Sequence, residues 1–232
     1  MKPIIIIPAM NEESTIFQVV SSAVAKNYQV IVVDDASTDS TATIAKRAGA
    51  TVLSNLKNLG AWKATQAGIR FAYQSGADLV VTMDADGQHS VEQISKLVAE
   101  YRQGADVVIG NCTERGSFGR HIAWSFFKYL NRLKVNDITS GFRLYNREAM
   151  SALISRQATM LEYQCVGILI MLRNMKLNIV EVAVPMNERT SGISRIFYSW
   201  KAVIYYLLYS GLLSITKAFP VKKDKFIKKI SS

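Results

Sequence analysis

Two carboxylates and an amide follow an apolar stretch in the first half of the chain. Residues 79–83 are rich in β-branched side chains and lead into turn-forming residues, which is typical of a buried strand. Asp84, Asp86 and Gln88 come next at alternate positions, and alternate side chains of an extended chain point the same way. Such oxygen ligands suit a hard divalent cation that leaves positions open for phosphate oxygens. The spacing predicts a metal site, although carboxylates so spaced also occur in ordinary turns.

A second acidic group follows the predicted strand Val30–Asp34. Asp35 is placed to accept hydrogen bonds from a base or a ribose, whereas Asp39 is better placed to cap the next helix. In an open α/β sheet, the carboxyl ends of parallel strands form one ligand-binding edge. Acids at this edge without a glycine-rich loop predict a diphosphate bound through a metal, because a backbone cradle for phosphate needs glycines. After the first predicted strand, the same edge receives Pro8, Ala9 and Glu12.

The elements that position these residues alternate between strand and helix over residues 1–110. Strict alternation predicts a doubly wound, mostly parallel sheet with right-handed crossovers. Neither Gly-x-Gly-x-x-Gly nor a Walker sequence follows a strand, so a dinucleotide enzyme or a P-loop ATPase loses its main support. The predicted strands are 2–8, 30–34, 51–53, 79–83 and 106–110, and the predicted helices are 11–26, 37–49, 61–74 and 90–104.

The second half of the chain has a different pattern. Residues 137–143 form a polar turn before a short strand, and 187–194 form another turn after a later strand. We therefore expect residues 1–195 to form one catalytic unit, with a nucleotide-binding half at 1–110 and an acceptor half at 111–195. Further predicted elements are helices at 117–133, 147–155 and 161–174 and a strand at 178–184.

The last part of the chain, residues 196–232, is apolar and aromatic before it becomes basic. Lys201 and Lys217 bracket fifteen uncharged residues, whereas a membrane-spanning helix needs about 20. Polar residues at helical spacing favour a helix that lies in a membrane surface, followed by five lysines within residues 221–232. The alternative is a helix that packs on a partner or forms a homo-oligomer. The polar stripe consists of Tyr206, Ser210, Ser214 and Lys217.

Composition restricts the function classes. The 232 residues carry a net charge of +10, which indicates an anionic partner such as nucleotide phosphates, nucleic acid or a lipid surface. The sequence contains no recognisable nucleic-acid-reading element. Cys112 and Cys165 fit no metal spacing, and the start of the chain is too short for a signal-peptide core, so we expect a cytoplasmic protein at the cytosolic face of a membrane.

Four motifs in order along the chain resemble the inverting family 2 glycosyltransferases of GT-A fold, and among them the dolichyl- or polyprenyl-phosphate sugar transferases. The motifs are Ile6-Ile7-Pro8-Ala9-Met10-Asn11-Glu12-Glu13, Val33-Asp34-Asp35-Ala36-Ser37-Thr38-Asp39, Asp84-Ala85-Asp86-Gly87-Gln88-His89 and Asp137-Ile138-Thr139-Ser140-Gly141-Phe142-Arg143. The resemblance covers residues 3–195. It implies a GT-A fold and transfer of a hexose from a nucleotide diphosphate sugar to a polyprenyl phosphate.

The resemblance also implies roles for single residues. Asp84, Asp86 and Gln88 would hold Mg²⁺ or Mn²⁺ on the diphosphate, and Asp137 would face the sugar at the reaction centre. The nucleoside would be held by Pro8, Glu12 and Asp35, with Ala9 beside them. The acceptor phosphate would be met by Arg120, Ser125 and Arg143, and a closing loop would contribute Arg189 and Ser194.

The chain departs from the family pattern at the start of the third predicted helix. Relatives usually carry Lys-Gly where Ala61 and Trp62 stand, and Arg where Gln66 stands. Lys63 either replaces the missing positive charge at the substrate or lies on a solvated helix face. Relatives also often carry glycine where Ala36 stands.

Charge determines the expected chemistry. Cleavage of a sugar–diphosphate bond leaves negative charge on a phosphate oxygen, which a bound metal neutralises. A lipid phosphate is already ionised, so it needs arginines to hold it rather than a strong base. A sugar hydroxyl would need a general base, for which Asp137 is the candidate. Transfer to a saccharide or a small soluble acceptor is therefore the alternative enzyme, and a binding module without turnover is the alternative outside enzymes.

Overall fold

A seven-stranded sheet organises the part of the chain that the computed structural model describes, which is residues 2–111, 135–161 and 166–187 with Tyr209 and Gly211. Its strands lie in the order β3-β2-β1-β4-β6-β5-β7. In chain order they are β1 (Ile4–Ala9), β2 (Val30–Asp34), β3 (Thr51–Ser54), β4 (Leu79–Thr82), β5 (Val107–Asn111), β6 (Arg143–Asn146) and β7 (Ile179–Ala183).

Helices cover both faces of this sheet. One face packs against α1, α2 and α4 and the other against α3, α5, α6 and α7, so the central strands are buried on both sides. This explains their nearly continuous apolar sequences. The helices are α1 (Ile16–Ala25), α2 (Thr41–Arg47), α3 (Ala61–Gln74), α4 (Ile94–Arg102), α5 (Arg147–Leu153), α6 (Arg156–Thr159) and α7 (Val166–Asn174), with a 3-10 turn at Val91–Gln93.

The sheet is parallel except at β6. β1 pairs in parallel with β2 and β4, and β5 pairs in parallel with β7, which confirms the mostly parallel prediction. β6 lies antiparallel between β4 and β5. Because β6 runs the opposite way, its first residue, Arg143, is paired with Thr82 at the carboxyl end of β4 and with Ile109 of β5. The turn that precedes β6 therefore reaches the ligand-binding edge.

The helix bounds match the prediction at α3, which runs over 61–74 as expected. α1 begins at Ile16 rather than at residue 11, and the amides of residues 11–13 donate hydrogen bonds to side chains of the loop after β2 and of the first residue of α2. The predicted helix at 117–133 and nearly all of the segment 196–232 lie outside the described residues. Within the described ranges, no helix has the length and apolar character needed to cross a membrane.

Candidate active site

The acidic stretch after β4 is a turn and not an extended chain. β4 ends at Thr82, and residues 85–87 turn, with Gly87 at a φ of 75°. The Asp86 Oδ1 atom accepts a hydrogen bond of 3.2 Å from the Gln88 amide, which closes this turn. The extended backbone that the alternate spacing of Asp84, Asp86 and Gln88 predicted is therefore wrong. Asp84 and Asp86 are nevertheless both half-buried at the carboxyl end of β4.

Gly141 brings the turn before β6 against the Asp84 carboxylate. A Cβ atom added at Gly141 would lie 2.7 Å from Asp84 Oδ1 and 2.9 Å from Oδ2, which is closer than real Cβ atoms come. The Thr82 hydroxyl donates a hydrogen bond of 2.7 Å to the Gly141 carbonyl and fixes this approach. The motif proposed for the metal and the motif proposed for the sugar thus meet at one place.

Asp137 organises the turn in which it stands. Its Oδ1 atom accepts hydrogen bonds from the Thr139 amide, the Thr139 hydroxyl and the Ser140 amide at 2.9, 3.0 and 2.9 Å. The Ser140 hydroxyl in turn donates to the Gly110 carbonyl at 2.7 Å and joins the turn to β5. Asp137 is 7% exposed, so its carboxylate is a largely enclosed group at the sheet edge. Its predicted place at the reaction centre stays a prediction.

Glu181 on β7 holds the same turn through two hydrogen bonds. This residue was not predicted from the sequence. Its two carboxylate oxygens each accept a hydrogen bond of 2.7 Å, one from the Asn136 amide and one from the Asp137 amide. Glu181 stands beside Ile109 in the sheet, as Arg143 does on the other side. A single acid within the otherwise apolar strand Ile179–Ala183 was the available signal.

Arg143 lies inside the protein rather than on its surface. It is fully buried, and its Nη2 atom donates a hydrogen bond of 2.9 Å to the Ile138 carbonyl. The guanidinium therefore supports the turn that carries Asp137. Its predicted contact with an acceptor phosphate is untested by this arrangement.

The carboxylate of Asp35 holds the loop between β3 and α3. It accepts hydrogen bonds from the Asn55 side chain at 2.8 Å, the Leu59 amide at 2.9 Å and the Gly60 amide at 2.8 Å. Asp35 is 3% exposed, and its own amide donates to the Ala9 carbonyl at 2.8 Å. Asp35 thus ties three strand ends together at the edge predicted for the nucleoside.

The loop after β1 and the loop after β2 are joined by side-chain to main-chain hydrogen bonds. The Glu12 amide donates to the Thr41 hydroxyl at 2.8 Å, and the Asn11 side chain accepts a bond of 2.8 Å from the Thr38 amide. Glu12 and Pro8 are half-buried and Ala9 is buried at this edge. These contacts hold the predicted nucleoside-binding residues in one place.

Asp39 closes the same junction just before α2, whose N-cap residue is Ser40 and not Asp39 as predicted. Its Oδ1 atom accepts a bond of 3.0 Å from the Thr41 amide, and its Oδ2 atom accepts one of 3.3 Å from the Glu13 amide. Burial of the carboxyl opposes ionisation, but hydrogen bonds from the Thr41 hydroxyl and amide and from the Glu13 amide outweigh it, so the pKa of Asp39 falls below its ordinary value.

The departures from the family pattern in α3 have a structural role. The Trp62 indole donates to the Ala158 carbonyl at 2.9 Å, and the Gln66 amide donates to the Leu153 carbonyl at 2.7 Å. Both side chains are buried, and both bonds fasten α3 to the ends of α5 and α6. Lys63, on the first turn of α3, lines an open groove beside this contact.

Gln88 contacts the backbone of Asn187, the first residue of the predicted turn 187–194. It is 3% exposed; its carbonyl accepts a bond of 2.9 Å from the Asn187 amide, and its side-chain amide is 3.5 Å from the Asn187 carbonyl. Asn187 is thus hydrogen-bonded to the turn that carries Asp86. The remaining predicted site residues, Arg120, Ser125, Arg189 and Ser194, lie outside the described residues.

Within the described part of the site, the carboxylates proposed to bind a metal are those of Asp84 and Asp86. No group of three or more His, Cys, Asp or Glu side chains comes together there in metal-binding geometry. Mg²⁺ commonly uses one or two carboxylates together with substrate phosphate oxygens, so Asp84 and Asp86 fit a metal that arrives with a diphosphate. A metal held by protein ligands alone does not fit these residues.

Comparison with known proteins gives consistent results. Residues 4–158 match the model of the family described as Glycosyl transferase family 2. The chain is 28% identical to the polyprenol monophosphomannose synthase of Mycolicibacterium smegmatis, over 84% of this chain and 80% of that protein. It is 31% identical to the UDP-N-acetylglucosamine–dolichyl-phosphate N-acetylglucosaminyltransferase of Methanococcus voltae, over 78% of this chain and 83% of that protein.

Solved structures share the fold. The glucosyl-3-phosphoglycerate synthase of Mycobacterium tuberculosis, crystallised with phosphoglyceric acid, superposes with a TM-score of 0.68 over 89% of this chain and 78% of that one. Another crystal of that enzyme, with a TM-score of 0.64, contains Mn²⁺ and UDP-glucose. Both are 23% identical to this chain, so the likeness establishes the fold alone.

Proposed function

Since the chain belongs to glycosyl transferase family 2, we propose that it moves a hexose from a nucleotide diphosphate sugar to a polyprenyl phosphate, with inversion at the anomeric carbon. Relatives named as sugar transferases to polyprenol, dolichyl phosphate and undecaprenyl phosphate support the acceptor class.

The observation that carries the proposal is the contact between Gly141 and the Asp84 carboxylate. It places the acids after β4 beside the turn of Asp137, so a diphosphate on one side and an acceptor on the other would meet at this edge. Because β6 is antiparallel, that turn stands between the carboxyl ends of β4 and β5. Ligands of open α/β folds bind at such an edge.

We propose the following roles for individual residues in the reaction. Asp84 and Asp86, with Gln88 beside them, would hold Mg²⁺ or Mn²⁺, which when bound neutralises the charge of the leaving diphosphate. The edge made by Pro8, Ala9, Glu12 and Asp35 would hold the nucleoside. Asp137 would orient the sugar, and it would accept a proton only if the acceptor were a hydroxyl.

The acceptor phosphate and the donor diphosphate are both anionic, so cations are needed to bring them together. We propose Arg120, Ser125, Arg189 and Ser194 for this task, with Lys63 contributing charge at the donor. Arg143 would act on the acceptor directly, or through the turn that it supports. The apolar segment 196–219 and its lysine-rich end would place the enzyme on the cytosolic face of the membrane.

The test is transfer of radiolabelled sugar into a lipid extract. The full chain is incubated with sugar nucleotides and a polyprenyl phosphate, with divalent metal and with chelator. We expect labelled lipid that depends on metal, on the prenyl phosphate and on Asp86. Asp78→Ala, at the opposite and exposed end of β4, is the matched control for Asp86→Ala and should retain activity.

The result also decides between the proposed reaction and its alternatives. Transfer only to a water-soluble acceptor would refute the lipid acceptor. Tight binding of the nucleotide without release of nucleoside diphosphate under any condition would refute the enzyme. Activity retained in Asp86→Ala would refute the role given to the acids after β4.

A further inference from the structure

Most of the exposed large apolar side chains among the described residues lie on α3 or on the segments next to it. Among the described residues, five large hydrophobic side chains are exposed, and four of them belong to the loop before α3, the outer face of α3 or the end of α6. We call these four the α3 patch. They are Leu56, Leu59, Phe71 and Met160.

A groove of about 390 Å³ runs along this surface. Its walls are α3, the edge strand β3 and the end of α6, and Leu59 and Phe71 line it. Lys63 and Arg70 also line it, and none of the described residues that line it is acidic. The surface is therefore apolar and positively charged at once.

Leu56 and Leu59 of the α3 patch lie on the loop between β3 and α3, and hydrogen bonds fix this loop. The Asp35 carboxylate binds this loop at the Asn55 side chain and at the Leu59 and Gly60 amides. Between these anchors Leu56 is fully exposed and Leu59 is 45% exposed. A fixed loop that keeps leucines in water forgoes the free energy of burying them, so we expect an occupant to cover them.

The charges of the groove select among occupants. The C-terminal segment of this chain carries five lysines within residues 221–232, so Lys63 and Arg70 would repel it. A symmetric contact between two copies would place the same cations against each other. An anionic lipid surface accepts both the apolar side chains and the cations, and the whole chain, at +10, is attracted to it.

We propose that the α3 patch docks on an anionic lipid membrane, with Leu56 and Phe71 inserted among the lipids and Arg70 at the headgroups. The choice of lipid over a protein partner rests on the proposed lipid acceptor. The patch also lies next to the edge predicted for the nucleoside, because Asp35 holds its loop. Docking would bring that edge to the bilayer without help from the C-terminal segment.

The test is sedimentation of the full chain with vesicles, without sugar nucleotide or prenyl phosphate. Vesicles of phosphatidylcholine alone are compared with vesicles that also contain phosphatidylglycerol. Replacing Leu56 and Phe71 together by serine is expected to weaken partitioning onto the anionic vesicles by about tenfold. Phe17→Ser is the matched control, since Phe17 is 48% exposed on α1, which covers the other face of the sheet. It should stay within about twofold of the parent.

Each result decides the proposal. Unchanged binding of the double variant overturns it and leaves the patch to a protein partner, and an equal loss in Phe17→Ser overturns it as well. The basic C-terminal segment is present in every variant, so its attraction cancels in the comparison. Leu56→Ser alone, in an exposed loop, provides the answer if the double variant does not fold. Loss of sugar transfer has no bearing on this measurement, which contains no substrate.

Discussion

Gly141 lies so close to Asp84 that a Cβ atom at position 141 would displace the Asp84 carboxylate. The obstructing atoms belong to the Asp84 side chain and not to the backbone, so we expect the carboxylate to move and not the backbone of the turn. We predict that Gly141→Ala lowers kcat by about 100-fold, as small misplacements of a reacting group do, with little change in melting temperature. Steady-state kinetics and thermal unfolding measure both.

Gly211→Ala is the matched control, because a Cβ atom at Gly211 meets no atom of the described residues within 4 Å. It should leave both quantities unchanged. Unfolding of Gly141→Ala at a much lower temperature would show that the glycine serves the fold and not the position of Asp84.

Glu181 is the residue that links β7 to the turn of Asp137. We predict that Glu181→Gln lowers kcat with little effect on KM for the sugar nucleotide, because one of the two amides at residues 136 and 137 would then face an NH₂ group. The free energy of unfolding should fall by about 1 to 3 kcal/mol, the cost of leaving such a group unsatisfied. Kinetics and urea unfolding test this.

Glu148→Gln, which alters an exposed acid on α5, should change neither the kinetics nor the unfolding. If Glu181→Gln lost stability but kept full kcat, Glu181 would be structural only. Acids of this kind escape sequence reasoning because their partners are backbone amides, which carry no residue type.

At the scale of elements, the loops after β1 and β2 depend on the ionised form of Asp39. Since hydrogen bonds lower the pKa of this carboxyl in the folded protein, its stabilisation is complete above the unfolded value of 3.8 and is lost as the pH falls through the folded value. Asp39→Ala should therefore cost about 1 kcal/mol at neutral pH and progressively less in acid below that value. Urea unfolding of both proteins across this range measures the difference.

Asp78→Ala, which removes an exposed acid, supplies the baseline for the general effect of acid on the fold. A cost for Asp39→Ala that stays the same at every pH would contradict the ionic contribution and leave only the packing of the side chain.

The elements show which features a hydrophobic pattern can predict. The apolar runs of β1, β2 and β4 and the spacing in α3 predicted strands and helices close to those observed, because burial on both faces produces the pattern directly. The direction of β6 was not predicted. Four residues of strand carry the same pattern in either direction, and the turn before them decides which way they run.

The site was predicted less well than the fold, because a hydrophobic pattern does not specify turns or long-range polar contacts. The residue types after β4 were identified, but their extended geometry was wrong, because a turn closed by the Asp86 carboxylate replaces it. The departures at Trp62 and Gln66 could not be interpreted from the sequence alone. Their partners, the carbonyls at the ends of α5 and α6, are nearly 90 residues or more away along the chain.

At the scale of the whole molecule, ligand binding should raise the melting temperature of the protein. A ligand that binds only the folded chain at 100 times its dissociation constant adds about 2.7 kcal/mol, which is roughly 5 to 10 °C for a domain of this size. We predict such a rise with a nucleoside diphosphate and Mn²⁺ together, and a much smaller one with either alone, because Asp84 and Asp86 offer a metal too few ligands without phosphate oxygens. Asp84→Ala should abolish the metal-dependent part, whereas Asp78→Ala should keep it. A nucleotide-induced rise that chelator leaves unchanged would separate nucleotide binding from these acids and refute the metal site, whether or not sugar is transferred.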